Sequence, residues 1–137
     1  MFRTQATHNK ILVADDCNFN IDALKCQLTH FNISADAARD GLIALNKVKN
    51  RIENNIEMYE LIMLDYSMPE LDGPSTAKKI HELLTSKHIK MPLICCITAF
   101  GDDAHRQVAQ DSCMDKFMNK PLFKDDIRKL LLEAGIL

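Results

Sequence analysis

Short apolar runs alternate along this chain with longer segments whose apolar residues recur at helical spacing. This alternation predicts strands joined by helices, the arrangement that builds a parallel α/β sheet. The predicted strands are five: Ile11 to Ala14, a weak one within Ile33 to Ala37, Leu61 to Leu64, Leu93 to Ile97, and Lys116 to Asn119. The third run is apolar throughout and stops at Asp65, as expected of a strand that is covered on both faces.

A helix is predicted after each strand from the helical period and from end signals. The apolar stripes expected to face the sheet are Ile21, Leu24, Leu28 and Phe31; Leu45, Val48 and Ile52; Ala77, Ile80, Leu83 and Leu84; Ala104, Val108 and Ala109; and Ile127, Leu130 and Leu131. Gly41 opens the second helix, and Pro74 suits the first turn of the third. Gly135 is expected to cap the last helix, about Lys124 to Glu133.

Length and composition fit a single domain. The 137 residues suit one hydrophobic core, and the hydrophobic fraction of 47% and charged fraction of 26% are close to globular averages. We expect an N-terminal tail over residues 1–9 and one domain over residues 10–137. The 17 basic and 19 acidic residues give a net charge of −2, so the chain has no excess of basic residues of the kind that nucleic-acid-binding proteins carry. No direct nucleic-acid partner is therefore expected.

The cellular compartment of the protein is predicted from its apolar runs and its cysteines. Runs such as Leu93 to Phe100 are far shorter than the ~20 residues of a membrane-spanning helix, so no membrane insertion is expected. Met1 to Asn9 has no apolar stretch typical of a secretory signal. The five cysteines are odd in number and lack paired metal-ligand spacing. We expect a cytoplasmic location, with most of the cysteines acting as small core residues.

The unusual polar residues fall where the predicted strands end. Asp15 and Asp16 follow the first strand, Asp65 ends the third, Thr98 the fourth and Lys120 the fifth. The carboxyl ends of parallel strands share one edge, and ligands of open α/β sheets bind in the crevice outside it. In the flavodoxin-like order 2-1-3-4-5, the third strand is central. Asp65 would then have the acidic pair on one side and Thr98 with Lys120 on the other.

Three carboxylates in one crevice repel one another unless a cation is bound. Mg²⁺ suits these hard oxygen ligands better than zinc or copper, because no histidine or cysteine stands at a matching strand end. A bound Mg²⁺ would keep positions open for a phosphate, and Lys120 would supply a second positive charge. The set predicts phosphoryl transfer, with one carboxylate as the nucleophile that forms an acyl phosphate.

Each of these residues alone has an ordinary structural explanation. An acidic pair after a strand often lies in a loop or caps a helix, and Asp65 suits a turn. Thr98 suits a helix cap, and Lys120 suits a solvated surface position. Their joint occurrence at four strand ends favours the functional interpretation.

The sequence closely resembles the receiver domains of two-component response regulators and hybrid histidine kinases, from about Lys10 to Leu132. The resemblance rests on the first-strand motif ILVADD, the segment LDYSMPELDG from Leu64 to Gly73, the pair Thr98-Ala99 and the pair Lys120-Pro121. The second motif is the most specific, since an Asp followed by Met-Pro and then by Asp-Gly is a hallmark of the family. The resemblance implies a doubly wound five-stranded parallel sheet with five flanking helices.

The resemblance also implies a role for each residue of the acidic crevice. It makes Asp65 the phosphorylated aspartate and Asp16 the direct Mg²⁺ ligand. Asp15 is implied to act on the ion partly through water. The backbone carbonyl of Ser67 matches a further magnesium ligand.

A second group of residues is implied to respond to the phosphoryl group. Thr98 resembles the switch hydroxyl, and Lys120 the lysine that pairs with phosphate oxygens. Phe117 occupies the aromatic switch position of the family, although simple core packing explains it equally well. The Lys-Pro peptide bond is commonly cis in relatives, and the same is expected of Lys120-Pro121.

Two positions depart from the usual family pattern. Cys113 stands where many relatives have glycine, and Phe100 places a bulky aromatic ring two residues past Thr98. Neither removes a catalytic group. Ser67 and Phe100 occupy positions that tune water access in the family, so the lifetime of a phosphoaspartate, and with it any autodephosphorylating enzyme activity, does not follow from the motifs.

The expected donor is a phosphohistidine on a histidine kinase or a histidine phosphotransfer protein. Asn18, Phe19 and Ile21 open the first helix beside the acidic edge, where an exposed Phe19 would anchor a helical partner. The alternative is that Phe19 and Ile21 pack inside. The motifs resemble receivers of hybrid kinases more than those of DNA-binding regulators, which is compatible with attachment to a kinase in a longer parent protein.

Two other functions fit the same fold. A pseudo-receiver would act as an interaction module without phosphorylation, but it would lack the acceptor, the acidic pair or the lysine, and this sequence has them all. A phosphatase with an aspartyl intermediate would usually carry a second aspartate two residues past the nucleophile. This sequence has Ser67 there.

Overall fold

Five parallel strands alternate with five helices in the computed structural model, which describes residues 8–99 and 101–137. The strand order is β2-β1-β3-β4-β5, so the predicted doubly wound α/β fold is confirmed. The elements are β1 (Ile11–Ala14), α1 (Asn18–Thr29), β2 (Ala35–Ala38), α2 (Gly41–Glu53), β3 (Leu61–Asp65), α3 (Gly73–Ser86), β4 (Leu93–Thr98), α4 (Asp103–Asp111), β5 (Lys116–Asn119) and α5 (Lys124–Glu133).

The core lies in two layers, one on each face of the sheet. Alternate strand residues point to opposite faces, so neighbours in sequence belong to different layers. One layer joins Leu12, Ile62, Leu64 and Ile94 to apolar residues of α2, α3 and α4. The other joins Ile11, Val13, Leu61 and Met63 to apolar residues of α1 and α5. The central strands β1 and β3 are buried along their whole length, which explains their unbroken apolar runs.

Three helices begin with an aspartate whose side chain caps the first turn. Asp40, Asp72 and Asp102 accept hydrogen bonds from backbone N–H groups at the starts of α2, α3 and α4. These bonds satisfy donors that have no partner inside the helix. Because Asp102 caps α4, the structural explanation of Thr98 as the cap of that helix is wrong.

Each helix is followed, within three residues, by a residue with positive φ. In chain order these residues are Asn32, Asn55, His88, Cys113 and Gly135, with φ of 58°, 55°, 57°, 67° and 75°. The backbone N–H of the next residue then donates to a carbonyl in the last helical turn, as in Ile33 to Leu28 and Met114 to Ala109. This is the Schellman geometry, which satisfies carbonyls left open at a helix end. Gly135 was predicted in this role, and Cys113 adopts the same backbone conformation.

Some expectations about burial are wrong. In α4 only Ala109 is buried, whereas Ala104 and Val108 are exposed, because this short helix touches the rest of the protein through one narrow stripe. Only Cys95 and Cys96, in the central strand β4, are buried. The other cysteines, Cys17, Cys26 and Cys113, lie at helix ends or on an outer helix face and are exposed.

The predicted second strand is displaced toward the C-terminus of the chain. Ile33 belongs to the turn that closes α1, so β2 begins only at Ala35. At the N-terminus, Asn9 donates from its side chain to Asp36 at 2.9 Å. Residues 1–7 of the expected tail and Phe100 lie outside the described residues. None of the helices that the structure describes is both long and apolar enough to cross a membrane.

Candidate functional site

Asp15, Asp16 and Asp65 meet at the carboxyl edge of the sheet. Ala14 and Leu64 are paired in the register of β1 and β3, so the residues that follow them emerge side by side. Carboxylate oxygens of the three aspartates lie within 4.8 Å of one another. Asp15 and Asp65 are 5% and 9% exposed, whereas Asp16 is open to solvent. The predicted convergence of the acidic residues is thus seen in the structure.

Lys120 reaches this cluster from β5. Its Nζ donates to Asp15 at 2.8 Å and lies 3.4 Å from Asp65. The backbone places it there, because the Lys120 N–H donates to the Thr98 carbonyl at 2.8 Å, just past the paired end of β4 and β5. The Lys120-Pro121 peptide bond is cis, as expected. Lys120 is therefore an internal counter-ion and not a solvated surface charge.

Electrostatics in the crevice are dominated by negative charge. Burial, and next the charge of Asp15, raise the pKa of Asp65 to about 6, although Lys120 opposes the shift. Burial alone would lower the pKa of Lys120, but the hydrogen bond to Asp15 and the charge of Asp65 raise it. Three carboxylates face one lysine, so the ionised cluster carries more negative charge than Lys120 neutralises. A bound cation would remove this imbalance.

The donor set fits a hard divalent cation such as Mg²⁺. It offers carboxylate oxygens on Asp15, Asp16 and Asp65, and no sulfur or imidazole ligand belongs to the group among the described residues. The Cys17 backbone N–H donates to Asp15 Oδ1 at 2.9 Å, which fixes the orientation of that carboxylate. Ser67, whose carbonyl is the remaining predicted ligand, lies on the same edge two residues after Asp65.

The loop after β3 is shaped by Gly73. Its N–H donates to the Tyr66 carbonyl at 2.9 Å, closing the loop that carries Ser67. A Cβ atom at Gly73 would overlap the backbone carbonyl oxygen of Asp65. Asp72 accepts from the Ser75 N–H at 2.8 Å and so starts α3 at this point. The Asp-Gly pair of the specific motif therefore holds the backbone of the predicted acceptor.

Thr98 and Phe117 lie on the strands beside the acidic cluster. Thr98 ends β4, directly after the Asp65 and Ile97 pair, and is buried. Phe117 is half-buried in β5 and packs against the core layer of α2, α3 and α4. The guanidinium carbon of Arg106 lies 4.8 Å from the centre of the Phe117 ring. The packing interpretation of Phe117 holds in this conformation, and its switch role stays a prediction.

Two neighbouring residues of α4 contact aromatic rings that lie on, or directly after, the two strands that flank β4. Arg106 covers Phe117, and His105 meets Tyr66 edge to face with ring centroids 4.6 Å apart. His105 also contacts the capping carboxylate of Asp102. Sequence analysis did not identify these contacts, because a polar helix carries no pattern that distinguishes ring contacts from solvated side chains. Together with the buried Ala109, these contacts attach α4 to the rest of the domain.

The structure separates the predicted partner-binding residues. Asn18 is exposed and Phe19 is 79% exposed, as expected of a docking position. Ile21 is only 4% exposed, so its prediction as a partner-binding residue is wrong. Ile21 precedes the buried Leu28 by two helical turns and therefore faces inward with it. Of the alternatives for this segment, Phe19 is outside and Ile21 is inside.

A shallow groove of about 190 Å³ runs beside Phe19 toward Asp65 and Lys120. We call it the α1 groove. Its walls between α1 and the loop after β5 are formed mainly by Phe19, Ala23, Leu24, Gln27, Pro121 and Leu122.

An ion pair that the sequence did not predict joins a buried Arg51 to a partly exposed Asp36. Arg51 is 5% exposed and donates to Asp36 at 3.0 Å, and Tyr59 donates to the same carboxylate at 2.6 Å. The Arg51 guanidinium also donates to the backbone carbonyls of Glu57 and Asn9. This network ties α2 to β2 and to the loop before β3. Its distance from the acidic cluster indicates a structural role.

Comparison with known proteins places the chain among phosphorelay proteins. The family described as the response regulator receiver domain matches residues 11–132. The chain is 32% identical to Histidine protein kinase 1 of Candida albicans, over 92% of this chain and 5% of that protein. It is also 32% identical to the osmosensing histidine protein kinase SLN1 of Saccharomyces cerevisiae, over 93% of this chain and 10% of that protein. The chain thus spans a small part of these relatives.

Solved structures share the fold. The receiver domain of a sensor histidine kinase from Pseudomonas aeruginosa, solved with a magnesium ion in its active site cleft, aligns with a TM-score of 0.76 and 21% identity. That alignment covers 94% of this chain and 99% of the other. CheY of Borrelia burgdorferi, from a complex with CheX, BeF3 and magnesium, also aligns with a TM-score of 0.76, at 24% identity and over 94% and 90% of the two chains.

Proposed function

The chain belongs to the response regulator receiver family, and on that premise we propose that Asp65 accepts a phosphoryl group from a phosphohistidine. The observation that carries this assignment is the position of the Asp65 carboxylate between the acidic pair and the ammonium group of Lys120. Phosphoryl transfer needs an in-line nucleophile surrounded by groups that neutralise the charge on the equatorial oxygens. The crevice supplies both.

The transfer would exchange one bond to phosphorus for another. An ionised oxygen of Asp65 attacks the phosphorus atom, the P–N bond to the donor imidazole breaks, and an acyl phosphate forms on Asp65. The imidazole leaves with the electron pair of that bond and takes up a proton. Although burial raises the pKa of Asp65 to about 6, this value is still below neutral pH, so the carboxylate is mostly ionised there. Lys120 pairs with an oxygen of the incoming group, and no base has to remove a proton from the ionised Asp65 carboxylate.

Mg²⁺ is the proposed cofactor. Asp16 and Asp65 would bind it directly, Asp15 partly through water, and Ser67 through its backbone carbonyl. When bound, the ion supplies positive charge to the phosphoryl oxygens during transfer. The buried and oriented Asp15 and the open position of Asp16 support this division of roles, since one is held by hydrogen bonds and the other is accessible to an entering ion.

We further propose that Thr98 and Phe117 transmit the change. The phosphoryl group adds about one negative charge beyond that of the carboxylate, together with several acceptor oxygens. The Thr98 hydroxyl would turn toward these oxygens, and the loop that follows β4 would move with it. α4 is the element best suited to respond, because among the described helices it buries the fewest residues.

The proposed donor is a histidine kinase or a histidine phosphotransfer protein that docks over Phe19 and Asn18. Such a partner has to bring its phosphohistidine to the carboxyl edge of the sheet, and the exposed Phe19 offers an aromatic anchor beside that edge. The similar kinases carry much longer chains, which supports a receiver attached to a kinase in a parent protein. A cytoplasmic location follows from this proposed partner.

Intact-mass measurement after incubation with a small acyl-phosphate donor and Mg²⁺ tests the proposal. Wild-type protein should gain the mass of one phosphoryl group, and Asp65→Asn should not. Asp125→Asn, the same chemical change at an exposed position of α5, should behave as wild type. An adduct that persists in Asp65→Asn would overturn the assignment of the acceptor. Folded wild-type protein that binds Mg²⁺ but forms no adduct would favour the pseudo-receiver instead.

A further inference from the structure

Gln27 links α1 to the loop that carries Lys120. Its side-chain Nε2 donates to the backbone carbonyl of Leu122 at 3.0 Å, across 95 positions of sequence. Leu122 is buried in the core layer of α1 and α5, two residues after Lys120. The hydrogen bond therefore fixes the far side of a tight three-residue segment whose first member is the lysine.

The near side of the same segment is fixed by β4. The Lys120 N–H donates to the Thr98 carbonyl at 2.8 Å. Between these two backbone bonds lies Pro121, which has no N–H to offer. The long side chain of Lys120 then extends to Asp15 at 2.8 Å and to Asp65 at 3.4 Å. A shift of the Leu122 carbonyl would thus move the start of the side chain that reaches the proposed acceptor.

Gln27 makes this bond at a cost. Its Oε1 is buried and has no hydrogen-bond donor, the only such side-chain atom in the part of the chain that the structure describes. A buried acceptor left without a partner costs about 1 to 3 kcal/mol. The surrounding walls of the α1 groove are apolar, formed by Ala23, Leu24, Pro121 and Leu122. A methionine or leucine would fill this position without an unsatisfied oxygen.

We propose that Gln27 is a positioning residue for the phosphoryl-transfer step, acting through Lys120. It holds the carbonyl of Leu122 so that the ammonium group of Lys120 is delivered to the crevice at the distance that phosphoryl oxygens need. This inference rests on the proposed function of Asp65 and adds a residue that touches neither the acceptor nor the metal ligands. A polar side chain kept at an apolar position despite its cost is what such a role explains.

Gln27→Met tests the role, because methionine has nearly the same shape but no donor. Phosphorylation by a small acyl phosphate at fixed Mg²⁺ should slow by about tenfold, the size typical of residues that orient catalytic groups. Gln110→Met makes the same chemical change at an exposed position and should leave the rate unchanged. If Gln27→Met does not fold, Gln27→Leu also removes the donor without adding a charge and should show the same loss.

The decisive measurement repeats Gln27→Met in a Lys120→Ala background. If Gln27 acts through the lysine, the tenfold effect should shrink to less than about twofold there, since the coupling between the two sites has been removed. An equal loss in both backgrounds, or no loss in either, would overturn the proposal. Hydrogen exchange at the Lys120 amide should also be faster in Gln27→Met than in wild type, and unchanged exchange would likewise contradict it.

These two readouts separate the inference from the function on which it rests. Wild-type protein that forms no phosphoryl adduct would defeat the assignment of Asp65. The exchange rate of the Lys120 amide would still report whether Gln27 holds the loop.

Discussion

Lys120 donates its short hydrogen bond, at 2.8 Å, to Asp15 and not to the proposed acceptor Asp65, from which its Nζ is 3.4 Å away. The lysine thereby occupies an oxygen of a carboxylate that would help to hold a metal ion. Its ammonium group and an entering cation compete for the same negative charge. The resting crevice is partly neutralised from within, and its affinity for a cation reflects that competition.

Replacing Lys120 should therefore tighten Mg²⁺ binding while slowing phosphorylation. Two unit charges about 4 Å apart repel by about 4 kcal/mol at an effective dielectric constant near 20 and by about 1 kcal/mol in bulk water. Even the bulk-water value corresponds to about a fivefold change in an equilibrium constant, so we expect at least about a fivefold rise in affinity. NMR titration with Mg²⁺ would measure this in Lys120→Met. Lys120→Arg keeps the charge and should stay close to wild type. Weaker binding in Lys120→Met would show that the lysine supports the metal site and does not compete with it.

The raised pKa of Asp65 predicts a specific pH dependence of stability in metal-free protein. Burial, followed by the charge of Asp15, raises the pKa to about 6, above the ordinary value near 3.9 in an unfolded chain. Between these values the folded state binds more protons than the unfolded state, so stability falls as pH rises from about 4 to about 6. Asp65→Asn removes this loss.

Urea unfolding in EDTA, carried out at several pH values, would measure this loss of stability. Asp65→Asn should be more stable than wild type by about 1 to 2 kcal/mol at pH 7, after allowance for solvent screening, and by much less near pH 4. Subtracting the two proteins cancels the titration of groups that do not interact with Asp65. A stability difference that does not change between these pH values would contradict the shifted pKa.

The ion pair of Arg51 and Asp36 should stabilise the fold without affecting the proposed phosphoryl transfer. Arg51→Met leaves the Asp36 carboxylate without its guanidinium partner and the Glu57 and Asn9 carbonyls without a donor. Breaking a fully buried pair from one side costs about 3 to 5 kcal/mol, and because Asp36 is partly exposed we expect a smaller loss of about 2 kcal/mol. Urea denaturation should detect this loss, while phosphorylation of the folded variant by an acyl phosphate should proceed at the wild-type rate.

Arg128→Met, on the exposed face of α5, is the matched control and should change stability little. A combined Arg51→Met and Asp36→Asn variant should lose less than the sum of the single losses, because it leaves no unpaired charge. Additive losses would mean that the two side chains are not coupled as the 3.0 Å contact implies.

The strands and the acidic cluster were predictable because both follow from local pattern. The unbroken apolar run from Leu61 to Leu64, which stops at Asp65, predicts a buried strand, and the end of a parallel strand fixes where Asp65 emerges. Arg51 gave no such signal, since a charged residue near a helix end usually remains in solvent. Its burial depends on Asp36 and Tyr59, which are close only after the chain has folded.

The same distinction applies to the exposed and contacting helix residues. Ala104 and Val108 satisfy a helical stripe in sequence, but the small contact area of α4 leaves them outside. In the sequence, Gln27 is indistinguishable from an ordinary polar residue of an amphipathic helix. Nothing within α1 indicates that its hydrogen-bond acceptor is the backbone carbonyl of Leu122. The helix end at Gly135 was predictable because glycine is common at that position. The helix end at Cys113 was not, because cysteine rarely takes the same backbone conformation.

Cys113→Gly should accordingly stabilise the protein. Cys113 has φ of 67°, a region that residues with a Cβ atom enter at a cost of about 1 to 2 kcal/mol and that glycine enters freely. Part of this gain is offset by the larger conformational freedom of glycine in the unfolded chain, so we expect about 0.5 to 1 kcal/mol from urea denaturation. Cys113→Ala retains the Cβ atom and should give no gain, which separates the backbone effect from loss of the thiol. Equal stability of the glycine and alanine variants would show that the helix end at Cys113 is not strained.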